Sequence, residues 1–285
     1  MAQSQAGWLV PGRAAPPGNG RGRLRGPSGF LALARAPGHF HADPFLLEAE
    51  GQTHLFFEDF VRQQGKAVIA HCVLGDAGAP SPPRTVLARP YHLSYPFVFR
   101  WGGETYMVPE TAGNRTVELY RAETFPLDWR LDRTLLEGWR ATDATLHEDD
   151  EGRWWMFVTI DEGGNGSSDE LFLFDAPSPL GPWRPHPDNP ICSDIRHARA
   201  AGRLFRQDGR LLRPAQDGSR RYGGALWLME VLELTPERYR EQPLLRLGPE
   251  WLPGNLCLHH LDMTGRFQVI DGMRPGKAGR FAACP

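Results

Sequence analysis

A set of acids, imidazoles and guanidinium groups recurs near the starts and ends of apolar runs in this chain: Asp43, Glu110, Asp143 and Asp217; His41, His92 and His260; Arg199, Arg203 and Arg213; with Tyr95 and Gln216. Gathered round one pocket, carboxylates, imidazoles and forked guanidinium donors suit a polyhydroxylated or anionic ligand. Asp43 is the most sharply defined of them. It sits between Ala42 and Pro44. Proline donates no ladder hydrogen bond and belongs at the first residue of a strand, so Asp43 is expected at the strand's mouth, where a carboxylate meets a ligand. In isolation Asp43 reads as a turn cap. A repeat lifts it above that reading.

The elements that must hold these residues are short strands. Asp43-Pro-Phe-Leu-Leu, a turn at Gly51 and His54-Leu-Phe-Phe-Glu-Asp59 read as a β-hairpin. The unit returns as Tyr95-Pro-Phe-Val-Phe with Thr105-Tyr-Met-Val-Pro-Glu110, as Asp143-Ala-Thr-Leu-His with Trp154-Trp-Met-Phe-Val158, as Ala201-Gly-Arg-Leu-Phe205 with Leu211-Leu-Arg-Pro-Ala-Gln-Asp217, and as Leu258-His-His-Leu-Asp262 with Phe267-Gln-Val-Ile-Asp271. Equivalent positions lie 52 residues apart from Pro44 to Pro96, 48 from Pro96 to Ala144 and 57 from Ala144 to Ala201. A period near 50 residues with several strands per unit is the mark of propeller blades. Five units without a long helix predict an all-β, five-bladed β-propeller spanning residues 29–285. Residues 1–28, rich in Gly, Pro and Arg, are expected to form a disordered arm.

Composition narrows the function. With 41% hydrophobic and 23% charged residues the chain reads as globular, and a net charge of −2 offers no field for a nucleic-acid partner. No stretch approaches a membrane span, and the N-terminus has no apolar core of signal-peptide length. Cys72, Cys192, Cys257 and Cys284 form no C-x-x-C pair, so the reading is a reducing cytoplasm with free thiols. No G-x-S-x-G elbow occurs. Gly163-Gly-Asn-Gly-Ser-Ser168 lacks the Lys of a phosphate loop and reads as a surface loop.

These residues resemble a known group of proteins. Asp43-Pro44, Asp143, Leu119-Tyr-Arg-Ala122 and Gly181-Pro-Trp183 look like the five-bladed propellers of glycoside hydrolase family 43. A closer resemblance is to the N-terminal propeller domain of glucosamine inositolphosphorylceramide transferases and its bacterial relatives. It rests on His41-Ala-Asp-Pro-Phe45, Phe56-Phe-Glu58, His92-Leu-Ser-Tyr-Pro96, Pro109-Glu-Thr111, Asp143-Ala-Thr145, Arg199 to Arg203, Arg213-Pro-Ala-Gln-Asp217, Tyr222-Gly223 and His259-His-Leu-Asp262. The resemblance implies a carbohydrate-active protein with Asp43 as base and Asp143 as the residue that orients and tunes. Where the hydrolases carry their acid Glu, this chain has Arg196-His-Ala-Arg-Ala-Ala-Gly202, and Arg delivers no proton at neutral pH. Glu110 is the substitute acid. Arg199, Arg213 and His260 are expected to hold a substrate carboxylate or phosphate, with His41, His92, Tyr95, Arg203, Gln216, Asp217 and Tyr222 completing the ligand shell. The missing acid equally suits a non-hydrolytic sugar-binding or accessory module in glycan or glycolipid synthesis. No cofactor is expected. The alternative is a divalent cation on the axis, for which His41, Asp43, His92 and His260 are suitable donor types.

Overall fold

The computed structural model describes residues 3–11, 24, 30–33, 36–163 and 169–274. Its strands make up five sheets, each laid down as a run of antiparallel neighbours. The first sheet met after the N-terminal strands β1 (Gln3–Pro11) and β2 (Leu31–Ala32) is β3 (His39–Ala49), β4 (Gln52–Val61), β5 (Lys66–Leu74) and β6 (Arg84–Leu87). The next is β7 (Ser94–Trp101), β8 (Glu104–Thr111), β9 (Thr116–Thr124) and β10 (Asp128–Glu137). The third is β11 (Ala141–Glu148), β12 (Trp154–Ile160), β13 (Glu170–Ala176) and β14 (Arg184–Pro185), with β15 (Cys192–Ser193) also on β13. The fourth is β16 (Phe205–Gln207), β17 (Arg210–Asp217), β18 (Ala225–Leu234) and β19 (Tyr239–Leu247). The last joins β20 (Cys257–Met263) and β21 (Phe267–Arg274) to β1 and β2 in the order β2-β1-β21-β20. This is an all-β propeller fold.

Local chemistry explains the hairpins. In three of the sheets a two-residue turn joins the first two strands: Glu50-Gly51, Gly102-Gly103 and Asp208-Gly209 all have positive φ at both positions. That is the signature of the primed turns whose twist matches the strands, and Gly, Asp and kindred residues enter it at least cost. Strands near the axis are covered on both faces, so β12 is buried along its whole length and reads as a continuous apolar run. Outermost strands such as β10 carry exposed charges, including Asp128, Arg130 and Arg133, which keep an open edge from pairing with another chain.

One stretch departs from its composition. Gln3–Pro11, expected within a disordered arm, pairs antiparallel with β21 from Gln3↔Arg274 to Pro11↔Phe267. The β21 edge supplies the hydrogen bonds that this Gly- and Arg-flanked segment has no local means of making. Residues 12–23 and 25–28 of that arm, most of the 163–168 loop and Cys284 lie outside the described residues. Cys72 and Cys192 are free thiols.

A repeated irregularity aims side chains at the axis. The register slips between Ala42 and Phe45, Ser94 and Phe97, and Thr142 and Thr145. The residue at the slip has left-handed φ each time: 48° at Asp43, 45° at Tyr95 and 55° at Asp143. Asp tolerates that region and Tyr does not do so readily, so Tyr95 must be held there. It is fully buried, its hydroxyl lies 2.7 Å from Thr145 Oγ1, and the Gly202 N–H donates to it at 2.8 Å. Tyr95→Phe strands that buried N–H and should cost about 1–3 kcal/mol, read as a lower urea midpoint with an unchanged slope. An unchanged midpoint would show that the hydroxyl does not hold the bulge.

Candidate functional site

The bulges and the strand ends opposite them enclose a cavity of about 210 Å³. That exceeds the roughly 150 Å³ that admits a benzene ring, so one sugar ring is a reasonable occupant. Asp43 enters from β3, and Glu58 and Glu110 enter from register-equivalent positions of β4 and β8, opposite Ala42 and Ser94. His41, His92, Arg199, Tyr222, His259 and Asp271 also face it. Phe40 and Phe60 form a stacked pair with centroids 4.8 Å apart and give the wall an apolar face.

Two ion pairs set the floor. Arg199 Nε lies 2.6 Å from Asp143 Oδ2, with Arg199 Nη2 4.0 Å from Glu110 Oε2 and the guanidinium 5.1 Å over the Tyr222 ring. His259 Nδ1 lies 2.6 Å from Asp271 Oδ1, and its Nε2 is 3.4 Å from Asp43 Oδ1. Asp271 Oδ2 accepts the Asp43 N–H at 2.9 Å, tying the last sheet to the first.

Burial sets the protonation states. It pushes Asp43 up to about 7 against the pull of His259. Burial and the Asp143 charge push Glu110 up to about 8, with Arg199 opposing. Glu58 is raised well above the carboxylate range by burial and then by Asp43 and Glu110. For His259 burial disfavours the cation, but the charge and hydrogen bond of Asp271 outweigh it and raise the imidazole to about 9. Near pH 7 Glu110 is mostly neutral and Asp43 is about half ionised, so beside the charged imidazole one can give a proton and the other take one.

The expected residues separate into those at the cavity and those elsewhere. Asp43, Glu110, His41, His92, Arg199 and Tyr222 line it, and Asp143 lies buried beneath Arg199. Tyr95 is a buried prop below. His260 is buried with its ring against Phe45 and Tyr95, 3.8 Å from Asp43, and burial drives its pKa down to about 3, so it holds no anion. Arg203 binds the Val98 carbonyl at 2.7 Å and faces Asp262 at 3.3 Å. Arg213 is sealed against Glu241 at 2.6 Å. Gln216 donates to the Ala200 carbonyl, and Asp217 pairs with Ser219 and Arg246 beside a different cleft. The reason is topological: the fourth unit reaches the cavity through Arg199, in the run before β16, and Tyr222, in the β17–β18 connection, and not through β17 itself.

Glu58, His259 and Asp271 are the site residues that sequence reasoning did not select. Glu58 had a signal, since Phe56-Phe-Glu58 follows the apolar run of its strand as Val108-Pro-Glu110 does. His259 was hidden by the slip between Leu258 and His260, which reverses the parity of the pair. The donor set for a cation also changes. Among the described residues Asp43, His259 and Asp271 offer ligand atoms within 4.8 Å of one another, not His41, His92 and His260. The proton on His259 Nδ1 that meets Asp271 makes this trio an ion-pair relay, and a cation bound through that nitrogen would first have to displace it.

Residues 30–247 match the family described as glucosamine inositolphosphorylceramide transferase 1, N-terminal. The chain belongs to that family. It is 37% identical over 257 residues to glucosamine inositolphosphorylceramide transferase 1 of Oryza sativa subsp. japonica, covering 84% of this chain and 34% of the rice protein. The Arabidopsis thaliana protein of the same name is 37% identical over 255 residues, covering 84% of this chain and 33% of its own. The chain thus spans about a third of the length of these relatives. As a fold, this member of the glucosamine inositolphosphorylceramide transferase N-terminal family is similar to the xylan β-1,4-xylosidase of Bacillus halodurans C-125, with TM-score 0.59 at 17% identity over 85% of this chain and 50% of that one. Among the described residues no helix is long and apolar enough to cross a membrane.

Proposed function

We propose that the five sheets are the blades of one closed five-bladed propeller, and that its axial cavity is a carbohydrate site working on a glycoside by carboxyl acid–base chemistry. The observation that carries this reading is that Asp43 and Glu110 open into one cavity from neighbouring sheets. Glycoside hydrolysis needs one carboxylate to activate water and one carboxylic acid to protonate the departing oxygen. Asp43, ionised, takes the proton of the attacking water. Glu110, neutral, gives its proton to the leaving oxygen, and Arg199 at 4.0 Å steadies the carboxylate that remains. Asp143 orients Arg199 for that task.

The pH profile of turnover tests it. Activity should rise as Asp43 ionises near 7 and fall as Glu110 loses its proton near 8, a narrow optimum between. Product analysis across a panel of glycosides supplies the rate, and Glu110→Gln should remove the alkaline limb. A profile flat from pH 6 to 9 would sink the assignment.

One observation favours a second reading, a binding module without turnover. Arg199 occupies the run where the resembling hydrolases carry their acid, and it is clamped on Asp143. Sugar binding by calorimetry, with no product after long incubation, would select this reading.

A further inference from the structure

A second cleft lies against the axial cavity, across the turn that joins β17 to β18. Tyr222 and Gly223 of that turn line the axial cavity, while Arg220, Arg221 and Gly224 line the cleft. Asp217, Arg246, Pro249, Glu250 and Asn255 complete its wall, and its volume is about 680 Å³. Asn255 marks it as a site. The side chain is 9% exposed, and neither Nδ2 nor Oδ1 has a hydrogen-bond partner among the described residues. Buried polar groups nearly always find partners, and this amide holds two donors and an acceptor open. The charges beside it are also unanswered. Arg246 is met by Asp217 at 3.3 Å. Arg220 and Arg221 form no ion pair among the described residues, and Arg221 spends one donor on the Leu256 carbonyl. Glu250, the remaining acid, folds back over Gly248, where its carboxyl takes the place of a Cβ. Two cations against one acid leave the cleft a single net positive charge.

A carboxylate carries that one charge, and its plane matches the guanidinium fork. It has no donor for Asn255 Oδ1, so the carbon beside it must carry an O–H or an N–H. A phosphate monoester brings about two charges into a wall that already holds Asp217 and Glu250. We infer that this cleft is a second binding site, taking a carboxylate with a hydrogen-bond donor on the neighbouring carbon: an α-hydroxy acid, or an acylated amino acid such as ends a polypeptide. Arg220 and Arg221 hold the carboxylate, and Asn255 accepts from the neighbouring donor. The site uses none of the axial acids and does not depend on the carbohydrate reading.

The test is calorimetric titration of the full chain with glycolate and N-acetylglycine. The controls are acetate, which lacks the donor, N-acetylglycinamide, which lacks the charge, and inorganic phosphate. The better of the two donor-bearing acids should bind about ten-fold or more tightly than any control, what one hydrogen bond to a charged or otherwise unmet group supplies. Which of the two it is tells a small acid from a polypeptide end. Arg220→Gln combined with Arg221→Gln, both on exposed side chains, should weaken that binding about ten-fold or more in a folded chain. Asn255→Leu should erase the preference over acetate and melt no lower than the wild type, because it removes no bond within the protein. Acetate or phosphate binding as tightly as the donor-bearing acids would overturn the ligand class. No binding of any probe, or affinity untouched in the folded variants, would overturn the site. An Asn255→Leu chain that melts well below the wild type would assign Asn255 to the fold and overturn the inference as well.

Discussion

Asp43→Asn is expected to lower turnover by about 10²–10⁴-fold, the contribution of a positioned general base, while the protein melts at nearly its native temperature. Both halves follow from the bulge. At φ 48° the residue sits where Asn is among the few side chains accommodated, so the substitution keeps the backbone. The Asp43 N–H still reaches Asp271 Oδ2. An amide, however, takes no proton from water, and it no longer answers the charge of His259 at 3.4 Å. Initial rates on a cleaved glycoside, with a thermal melt of the same sample, read both quantities. Wild-type turnover in a folded variant would remove Asp43 from the chemistry. A change in sugar affinity alone, with no turnover in either protein, would select the binding module.

Arg213→Ala should cost about 3–5 kcal/mol of stability, the usual consequence of breaking a buried ion pair on one side. Arg213 is 1% exposed. Its Nε and Nη2 reach the Glu241 carboxylate at 2.8 and 2.6 Å, and Nη2 also donates to the His197 carbonyl at 2.7 Å. Glu241 accepts the Tyr239 hydroxyl at 2.6 Å. Truncation leaves a buried carboxylate with one neutral donor and opens a cavity beside it. Arg213→Met combined with Glu241→Leu should recover most of the loss, since the pair's net worth is small once both charges go. Urea unfolding measures the stability, and sugar affinity per folded molecule should not change. A ligand-binding Arg213 would give the reverse pattern: weaker binding with stability intact.

The propeller was legible because its period is written in the spacing of apolar hairpin units, as from Pro44 to Pro96, Ala144 and Ala201. Asp43 and Asp143 were legible because both fall at the same point of that period. What the sequence hid was parity. A strand without bulges shows alternate residues to alternate faces, so His259 and His260 should face opposite ways. The extra residue between Leu258 and His260 inverts the rule, and bulges carry no residue type that announces them. The fourth unit misled differently. Its second strand, with Arg213, Gln216 and Asp217, looks like the functional strands of its neighbours, yet Arg213 is bonded to Glu241, Gln216 to the Ala200 carbonyl and Asp217 to Arg246. The N-terminal strand was illegible for a third reason: its partner lies more than 250 residues away, and no local pattern records such a pairing.

That last pairing orders events in time. Pro11 meets Phe267 and Gln3 meets Arg274, so β1 is matched with a strand synthesised more than 250 residues after it. At about 5–20 residues per second the ribosome separates the two by roughly 10–50 s. Through that interval the first strand has no mate, and the four intervening units have time to form their own sheets. Joining β1 to β21 closes the longest loop among the described strand pairs, which makes it a late step. A chain halted before it presents the bare edge of β21, the natural docking strip for the leading segment of a second copy.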